Sequence, residues 1–254
     1  MTSEQQPRAT LDSVRRFWAS HVNNEYYTSA DRASDAYFDE IERRRYQWHY
    51  HLTELFSDLR GSTGRLLEIG SGIGVDSIQL ARAGFDVTAV DLTDEAIGVA
   101  REFAKARGVN VDFRVGNAES LDFPDATFDV VYSFGVLHHT PHIDQAIAEV
   151  HRVLRPGGRA LIMLYHRTSL VNAVHKLFRL PYESPRDRDD DCPVVYTFTR
   201  KSAKALFKDF SRVTVHAEYP FTFGFGPLGS KLPRPVLKAL GRVIGWHLMI
   251  TAER

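Results

Sequence analysis

Apolar residues return along this chain at two different rhythms, and the change of rhythm divides it. Leu11, Val14, Phe17, Trp18 and His21 lie on one helical stripe. A polar break at Asn23 and Asn24 follows, then Tyr26 and Tyr27. Trp48, Leu52, Leu55, Phe56 and Leu59 recur at i, i+4, i+7, i+8 and i+11, which predicts a second, longer helix ended by Gly61–Gly64. From Arg65 the pattern becomes short apolar runs separated by helical segments. RLLEIG, DVTAVD (Asp86–Asp91), VDFRVG (Val111–Gly116), FDVVYSFG (Phe128–Gly135) and RALIMLYH read as five strands. Between them, Val75, Ile78 and Ala81 mark one helix. Thr93 caps a second, with Asp94 and Glu95 in its favoured first turn. Thr140 and Pro141 are the expected cap and first residue of a third helix, which RPGG breaks. After His166 come an apolar helix candidate, SLVNAVHKLF, and an irregular PYESPRDRDDD. Then follow a helix (TRKSAKALFKDF), a strand (RVTVHAEYPF), a Gly- and Pro-rich stretch and a final strand (WHLMITAE).

Strands alternating with helices predict an open, mostly parallel sheet covered on both faces, with right-handed crossovers. Ligands of such sheets sit beyond the carboxyl ends of the strands. That edge is where the remaining chemistry collects. LLEIGSGIG carries Gly70, Gly72 and Gly74 between a strand and a helix, where missing side chains let the backbone turn tightly and approach a ligand. Asp91 closes the next strand about 20 residues on, the spacing at which a carboxylate meets a ribose diol. A G-x-G alone is also an ordinary tight turn. It is the joint pattern of strand, E-x-G-x-G-x-G, helix, strand and terminal Asp that points to a nucleoside. Val75 stands where a dinucleotide site has its third glycine, which argues against NAD.

Composition narrows the partners. Lys+Arg and Asp+Glu are both 32, so the chain has no basic excess with which to bind nucleic acid through phosphates. The single cysteine, Cys192, excludes an intrachain disulfide and a cysteine metal cluster, and reads as a bland loop thiol. The polar start MTSEQQPRATLDSVRR and the lack of a long apolar run give the expectation of a cytoplasmic protein without a membrane partner.

LLEIGSGIG, AVD, GNAESLDF, FDVVYSFGVLHH and EVHRVLRPGG together resemble the class I S-adenosylmethionine-dependent methyltransferases, in the branch that acts on small molecules. The resemblance covers about 65–166. It implies an α/β, Rossmann-like, doubly wound, seven-stranded, mostly parallel sheet with an antiparallel last strand, an N-terminal helical cap and an insertion after the fifth strand. The implied division is a cap (1–60), a binding core (61–166), a lid (167–200) and the rest of the sheet (201–254). The implied cofactor is S-adenosyl-L-methionine. The backbone of Gly70, Gly72 and Gly74 would border its methionine part, Glu68 its ammonium, Asp91 its ribose and Leu92 one adenine face. Asn117 stands where relatives carry an acid for the adenine amino group, with Ala118 beside it. Phe134 and Gly135 would lie near the reacting methyl.

The acceptor is expected to be a small molecule methylated on O, N or S. The N/D-P-P-Y/F signature of amino-methylating DNA enzymes is replaced here by SFGV. A base is needed only where the acceptor keeps its proton, as a hydroxyl does. His138, His139, His166, Tyr26 and Tyr27 are the candidates, the histidines because their ordinary pKa is near neutrality. Against each stands a structural role. No third ligand joins the i, i+4 pair His138 and His142, so no metal is expected. Arg43, Arg44 and Arg45 read as a solvated helix face, and Asp187, Asp189, Asp190 and Asp191 as an acidic loop. A homodimer is compatible with all of this. The rival functions are a nicotinamide-dependent oxidoreductase, distinguished by glycine spacing, and a catalytically silent binding subunit of the same fold.

Overall fold

The structure is a computed structural model that describes residues 10–21, 28–31, 34–183, 191–221 and 232–254. Three helices, α1 (Leu11–Ser20), α2 (Asp35–Trp48) and α3 (Tyr50–Asp58), precede an alternation of strands and helices. The alternation runs β1 (Arg65–Ile69), α4 (Val75–Ala83), β2 (Asp86–Asp91), α5 (Asp94–Ala106), β3 (Asp112–Val115), β4 (Phe128–Phe134), α6 (Ile143–Val153) and β5 (Leu154–His166). Then come α7 (Leu170–Phe178), a two-residue β6 (Thr197–Phe198), α8 (Arg200–Leu206), β7 (Arg212–Glu218), α9 (Arg234–Ile244) and β8 (His247–Glu253).

The sheet order is β3-β2-β1-β4-β5-β8-β7, with β6 pairing off β5. All pairs are parallel except those of β8, which runs against both β5 and β7. The doubly wound sheet with a reversed last strand is therefore the expected one, extended by the short β6. Leu67, Ile69, Val131, Ile162, Leu164, Leu248 and Ile250 pack on one face against α6 and α8. Leu66, Val87, Ala89, Tyr132 and Leu161 pack on the other against α2, α3, α4 and α5. β4 is apolar almost throughout because both of its faces are covered. At the edge, β7 alternates between exposed and half-buried over its first five residues.

Local chemistry explains the boundaries that differ from expectation. The helix predicted from Trp48 to Leu59 is interrupted at His49, whose ψ of 57° leaves the helical region while its N–H closes onto the Arg45 carbonyl at 2.8 Å. α2 itself escapes the apolar pattern because an arginine occupies its buried stripe beside Tyr37, Phe38 and Ile41. α9 lies inside the Gly- and Pro-rich stretch and buries only Leu237 and Gly241. Thr140 does not cap α6. Its hydroxyl donates to the Leu137 carbonyl across a 3-10 turn (Leu137–His139), and α6 starts at Ile143. Thr93 does cap α5, accepting from the Ala96 N–H.

One buried ion pair fastens the helical cap to the sheet. Arg45 of α2 is 8% exposed, and its guanidinium grips the carboxylate of Asp76, in the first turn of α4, through Nε at 3.0 Å and Nη2 at 2.5 Å. The hydroxyls of Tyr46 and Tyr132 donate to the same carboxylate at 3.0 and 2.9 Å. Arg45 is thus no part of a solvated face, unlike Arg43 and Arg44, whose side chains are 62% and 43% exposed. Removing one partner of a buried, hydrogen-bonded pair strands the other charge. Asp76→Ala should lower the unfolding free energy by about 3–5 kcal/mol in denaturant titrations. A loss under about 1 kcal/mol would mean that the pair is solvated, as surface pairs are.

Candidate active site

The three glycines of the β1–α4 turn all have positive φ, yet for different reasons. A Cβ on Gly70 would overlap Val136, and one on Gly74 would come within 2.8 Å of Phe113. Both positions are held to glycine by packing. At Gly72, φ is +51° and a Cβ would meet nothing within 4 Å. That Cβ would project into a cleft of about 1010 Å³, counted with its open mouth, that runs along the carboxyl edge of β1, β2 and β4.

Glu68, Gly70, Gly72, Asp91, Leu92, Asn117, Ala118 and Phe134 all border this cleft, so one groove gathers every cofactor position expected from the sequence except Gly74. Asp91 spans the turn. Its Oδ2 accepts from the Gly72 N–H at 2.9 Å, and its Oδ1 accepts from the Thr93 N–H and hydroxyl, each at 3.0 Å. A carboxylate has about four acceptor sites, so Oδ2 retains capacity for a ligand hydroxyl. Burial raises the Asp91 carboxyl above its ordinary range. Glu68 is 3% exposed and accepts from the Ser77 hydroxyl. Burial, followed by the neighbouring Asp76 carboxylate, pushes Glu68 up to about 8. Asn117 is less free than expected, since its Oδ1 already accepts from the Glu119 N–H at 3.0 Å in a local turn.

The base candidates separate clearly. His139 borders the cleft beside Phe134 and is 2% exposed. Its Nδ1 lies 2.8 Å from the Val194 carbonyl, which fixes the tautomer with the proton on Nδ1. Nε2 is buried without a hydrogen bond, 3.5 Å from a Glu183 carboxylate oxygen. His138 is completely buried, packs against Tyr165 at 3.9 Å between ring centres with the rings tilted by 41°, and does not border the cleft. His166 is also off the cleft. Its Nδ1 meets the Gly245 carbonyl at 2.8 Å and its Nε2 the Thr168 hydroxyl at 2.9 Å, so both ring nitrogens are occupied within the fold. Tyr26 and Tyr27 lie outside the described residues.

Sequence reasoning missed several cleft neighbours. Leu11, Val14 and Trp18 of α1 line it, and the Trp18 ring meets His139 edge-on at 5.3 Å. Arg45 lines it too, with its guanidinium 5.2 Å from the Phe134 ring centre. Of the four aspartates read as an acidic loop, Asp187, Asp189 and Asp190 lie outside the described residues, and Asp191 accepts from the backbone N–H groups of Tyr182, Glu183 and Cys192, and so shapes the segment that brings Glu183 to His139. Among the described residues no group of His, Cys, Asp and Glu could hold a metal ion.

Residues 67–162 match the family described as the methyltransferase domain. Over that stretch the chain is similar to methyltransferase domains. A ubiquinone biosynthesis O-methyltransferase of Paramagnetospirillum magneticum is 40% identical over 128 residues, which are 50% of this chain and 50% of that protein. A ubiquinone/menaquinone biosynthesis C-methyltransferase of Methylobacterium nodulans is 35% identical over 146 residues, covering 55% and 58%. The chain thus spans about half the length of the curated relatives it matches. A solved S-adenosylmethionine-dependent methyltransferase of Thermotoga maritima shares the fold at TM-score 0.64, covering 94% of this chain and 99% of that one at 18% identity. The matched stretch therefore contains the glycine turn, Asp91, Asn117, Phe134 and His139. Arg45, Trp18, Glu183 and Val194 come from the flanking parts of the chain. No helix among the described residues is long and apolar enough to cross a membrane.

The unequal glycines of this domain can be told apart by substitution. Gly72→Ala should cost about 1–2 kcal/mol of stability through its left-handed backbone and still fold, while weakening adenosylhomocysteine binding. Gly70→Ala should unfold at markedly lower temperature because its Cβ has no room. Thermal unfolding with calorimetry checks both. Normal ligand affinity in Gly72→Ala would show that no ligand lies against that backbone.

Proposed function

We propose that the protein transfers a methyl group from S-adenosyl-L-methionine to a hydroxyl oxygen of a small molecule. The observation that carries the cofactor assignment is the open face of Gly72 tied to Asp91 at the cleft wall, with Glu68, Arg45, Leu92, Ala96, Asn117 and Ala118 lining the same cleft. These residues fit the cofactor chemically. Asp91 accepts from the ribose hydroxyls. Leu92 and Ala118 cover the adenine, and Asn117 offers its remaining lone pair to the amino group. Glu68 in its ionised form answers the ammonium. Arg45 spends Nε and Nη2 on Asp76 and keeps further N–H groups for the α-carboxylate.

When bound, the cofactor supplies a methyl already activated on a sulfonium centre. Alignment then provides much of the rate, and the chain contributes it through the Phe134–Gly135 backbone and the α1 cover. His139 takes the hydroxyl proton at Nε2 while Val194 holds the other ring nitrogen, and Glu183 stabilises the imidazolium that results. The buried, unpaired Nε2 supports an acceptor that arrives with a proton. So does the O-methyltransferase name of one relative, whereas the C-methyltransferase name of the other keeps a carbon acceptor as the competing outcome. The division into cap (1–60), core (61–166), lid (167–200) and remaining sheet (201–254) belongs to the same proposal. It is supported by α1 lining the cleft and by Glu183 and Val194 holding His139.

Incubation with methyl-labelled donor and a panel of phenols, amines and thiols, read by mass spectrometry, tests the reading, and the expected product is an O-methyl ether. No product together with tight NAD binding would replace it with the oxidoreductase. Asp91→Ala should weaken adenosylhomocysteine by about 1.5–3 kcal/mol, the range for charge-assisted hydrogen bonds. His139→Gln should lower turnover roughly 10²–10⁴-fold with that affinity little changed. Near-normal turnover on a hydroxyl would remove His139 as the base.

The cleft also implies a proton linkage. The ligand ammonium needs Glu68 ionised, and Glu68 in the free protein holds its proton up to about pH 8. Affinity should therefore rise with pH toward that value, and binding at lower pH should release a proton, measurable by calorimetry in buffers of different ionisation enthalpy. Glu68→Gln should lose both effects. Flat affinity and no proton release across this window would show that Glu68 does not meet the ammonium.

A further inference from the structure

One carboxylate oxygen beside the cleft is shared by two side chains. Glu183 Oε1 accepts from the Tyr165 hydroxyl at 2.8 Å and lies 3.5 Å from His139 Nε2. His139 itself borders the cleft. The Glu183 backbone is fixed as well, its N–H donating to Asp191 Oδ1 at 2.9 Å. Tyr165 packs between His138, at 3.9 Å between ring centres, and Trp246, stacked at 4.2 Å. Its hydroxyl therefore cannot swing away from Glu183 without unpacking those rings.

The His139 proton on Nδ1 points at the Val194 carbonyl, so Nε2 turns a lone pair toward a carboxylate oxygen. The 3.5 Å gap holds no hydrogen bond in this state. It closes into a charge-assisted bond of about 2.7–2.9 Å once Nε2 is protonated. The contact thus suits the form of the ring that remains after a hydroxyl has given up its proton. That proton must leave before the ring can act again, and His139 is 2% exposed. The Nδ1 side ends on the Val194 carbonyl, which also accepts from the Cys192 thiol and takes no proton. His138, 4.2 Å away between ring centres, is held well below the usual histidine range by burial and then by His139. Burial pushes the Cys192 thiol up to about 12 and lowers His175, whose ring feels Glu183 and Asp191. Asp191 is occupied by three backbone N–H groups. Among the described residues, Glu183 is the titratable neighbour of Nε2 that reaches water, with its side chain 14% exposed.

We propose that Glu183 is the proton exit of the site and that Tyr165 is the positioning residue that holds it at His139. The inference rests on the methyl-transfer reading and adds to it the step that resets the base. As the acceptor oxygen gains its methyl, its O–H bond breaks and the proton goes to Nε2. The Nε2–H bond then breaks, an O–H bond forms on the Glu183 carboxyl, and water takes that proton. A neutral imidazole and a carboxylate are restored, and one proton leaves for each methyl transferred. Nε2 has a single lone pair, so the acceptor and Glu183 use it in turn. Tyr165 takes no proton and keeps Oε1 aimed at the ring.

The test follows the proton itself. The full chain, with its histidines labelled with nitrogen-15, is saturated with adenosylhomocysteine, and the His139 ring is identified by its absence from His139→Gln. Below the pH at which this ring is half protonated, exchange of the Nε2 proton with water is measured by NMR. It should be about tenfold or more slower in Glu183→Gln. It should also slow, by a smaller factor, in Tyr165→Phe, which removes a single hydroxyl, while melting temperature and adenosylhomocysteine affinity change little. In Glu183→Ala, added formate should restore fast exchange at constant pH, because a free carboxylate replaces the missing one. If the Glu183 variants do not fold, Tyr165→Phe decides alone. Equal exchange in wild type and variants would mean that water reaches Nε2 through the cleft, and it overturns the inference while leaving the methyltransferase reading standing. Slow exchange that formate does not restore also overturns it, since Glu183 would then act only through structure. Failure of wild type to bind adenosylhomocysteine overturns that reading and this inference with it.

Discussion

The carboxylate of Asp76 holds the working edge of this molecule together. It sits one residue into α4, directly after the glycine turn, and collects donors from the cap helix α2, through Arg45 and Tyr46, and from the central strand β4, through Tyr132. Three separate pieces of chain are thereby fixed around the β1–α4 turn. A buried pair of this kind is a poor source of net stability, because desolvation offsets much of the attraction. Its consequence is geometric: α2 cannot leave the sheet without stranding a charge. The same guanidinium lines the cleft, so the group that docks the cap is also one that a ligand would meet.

Around that anchor the edge is divided by charge. Near the glycine turn stand Glu68, Asp76, Asp91 and Arg45, a set suited to a zwitterionic ligand with a diol. Beyond Phe134 the wall is mostly aromatic, with Glu183 beside His139, and burial keeps His51, His138 and His247 neutral. A neutral imidazole is a base without the desolvation cost of a carboxylate. The proposed transfer to a hydroxyl would use this contrast: charged groups to hold the donor and an apolar, water-poor wall where the acceptor's proton is removed. α1 lines the cleft, and the segment shaped by Asp191 holds His139 at its border through Glu183 and Val194.

The periodic parts of the chain could be read directly. The strand–glycine–helix–strand sequence with its terminal Asp places Gly70, Gly72 and Asp91 on one edge, because parallel strands buried on both faces write unbroken apolar runs. What escaped were features that depend on contacts distant in sequence. Arg45 looked like one of three solvated arginines, and only Asp76, 31 residues on, makes it a core residue. His138, His139 and His166 carry the same side chain at the same edge. Val194, Gly245 and Thr168 decide which ring nitrogens are occupied, and nothing local to the histidines announces those partners. His51 and His247 meet at 3.1 Å although they are 196 residues apart, and neither belongs to a motif. α9 was hidden by the glycines and prolines around it.

The most direct measurement is a structure of the protein with adenosylhomocysteine. The account predicts the ribose hydroxyls on Asp91, the ammonium at Glu68, the α-carboxylate at Arg45, and the sulfur facing Phe134 with His139 beyond it. A ligand bound elsewhere, or in this cleft with its ribose away from Asp91, would contradict the account.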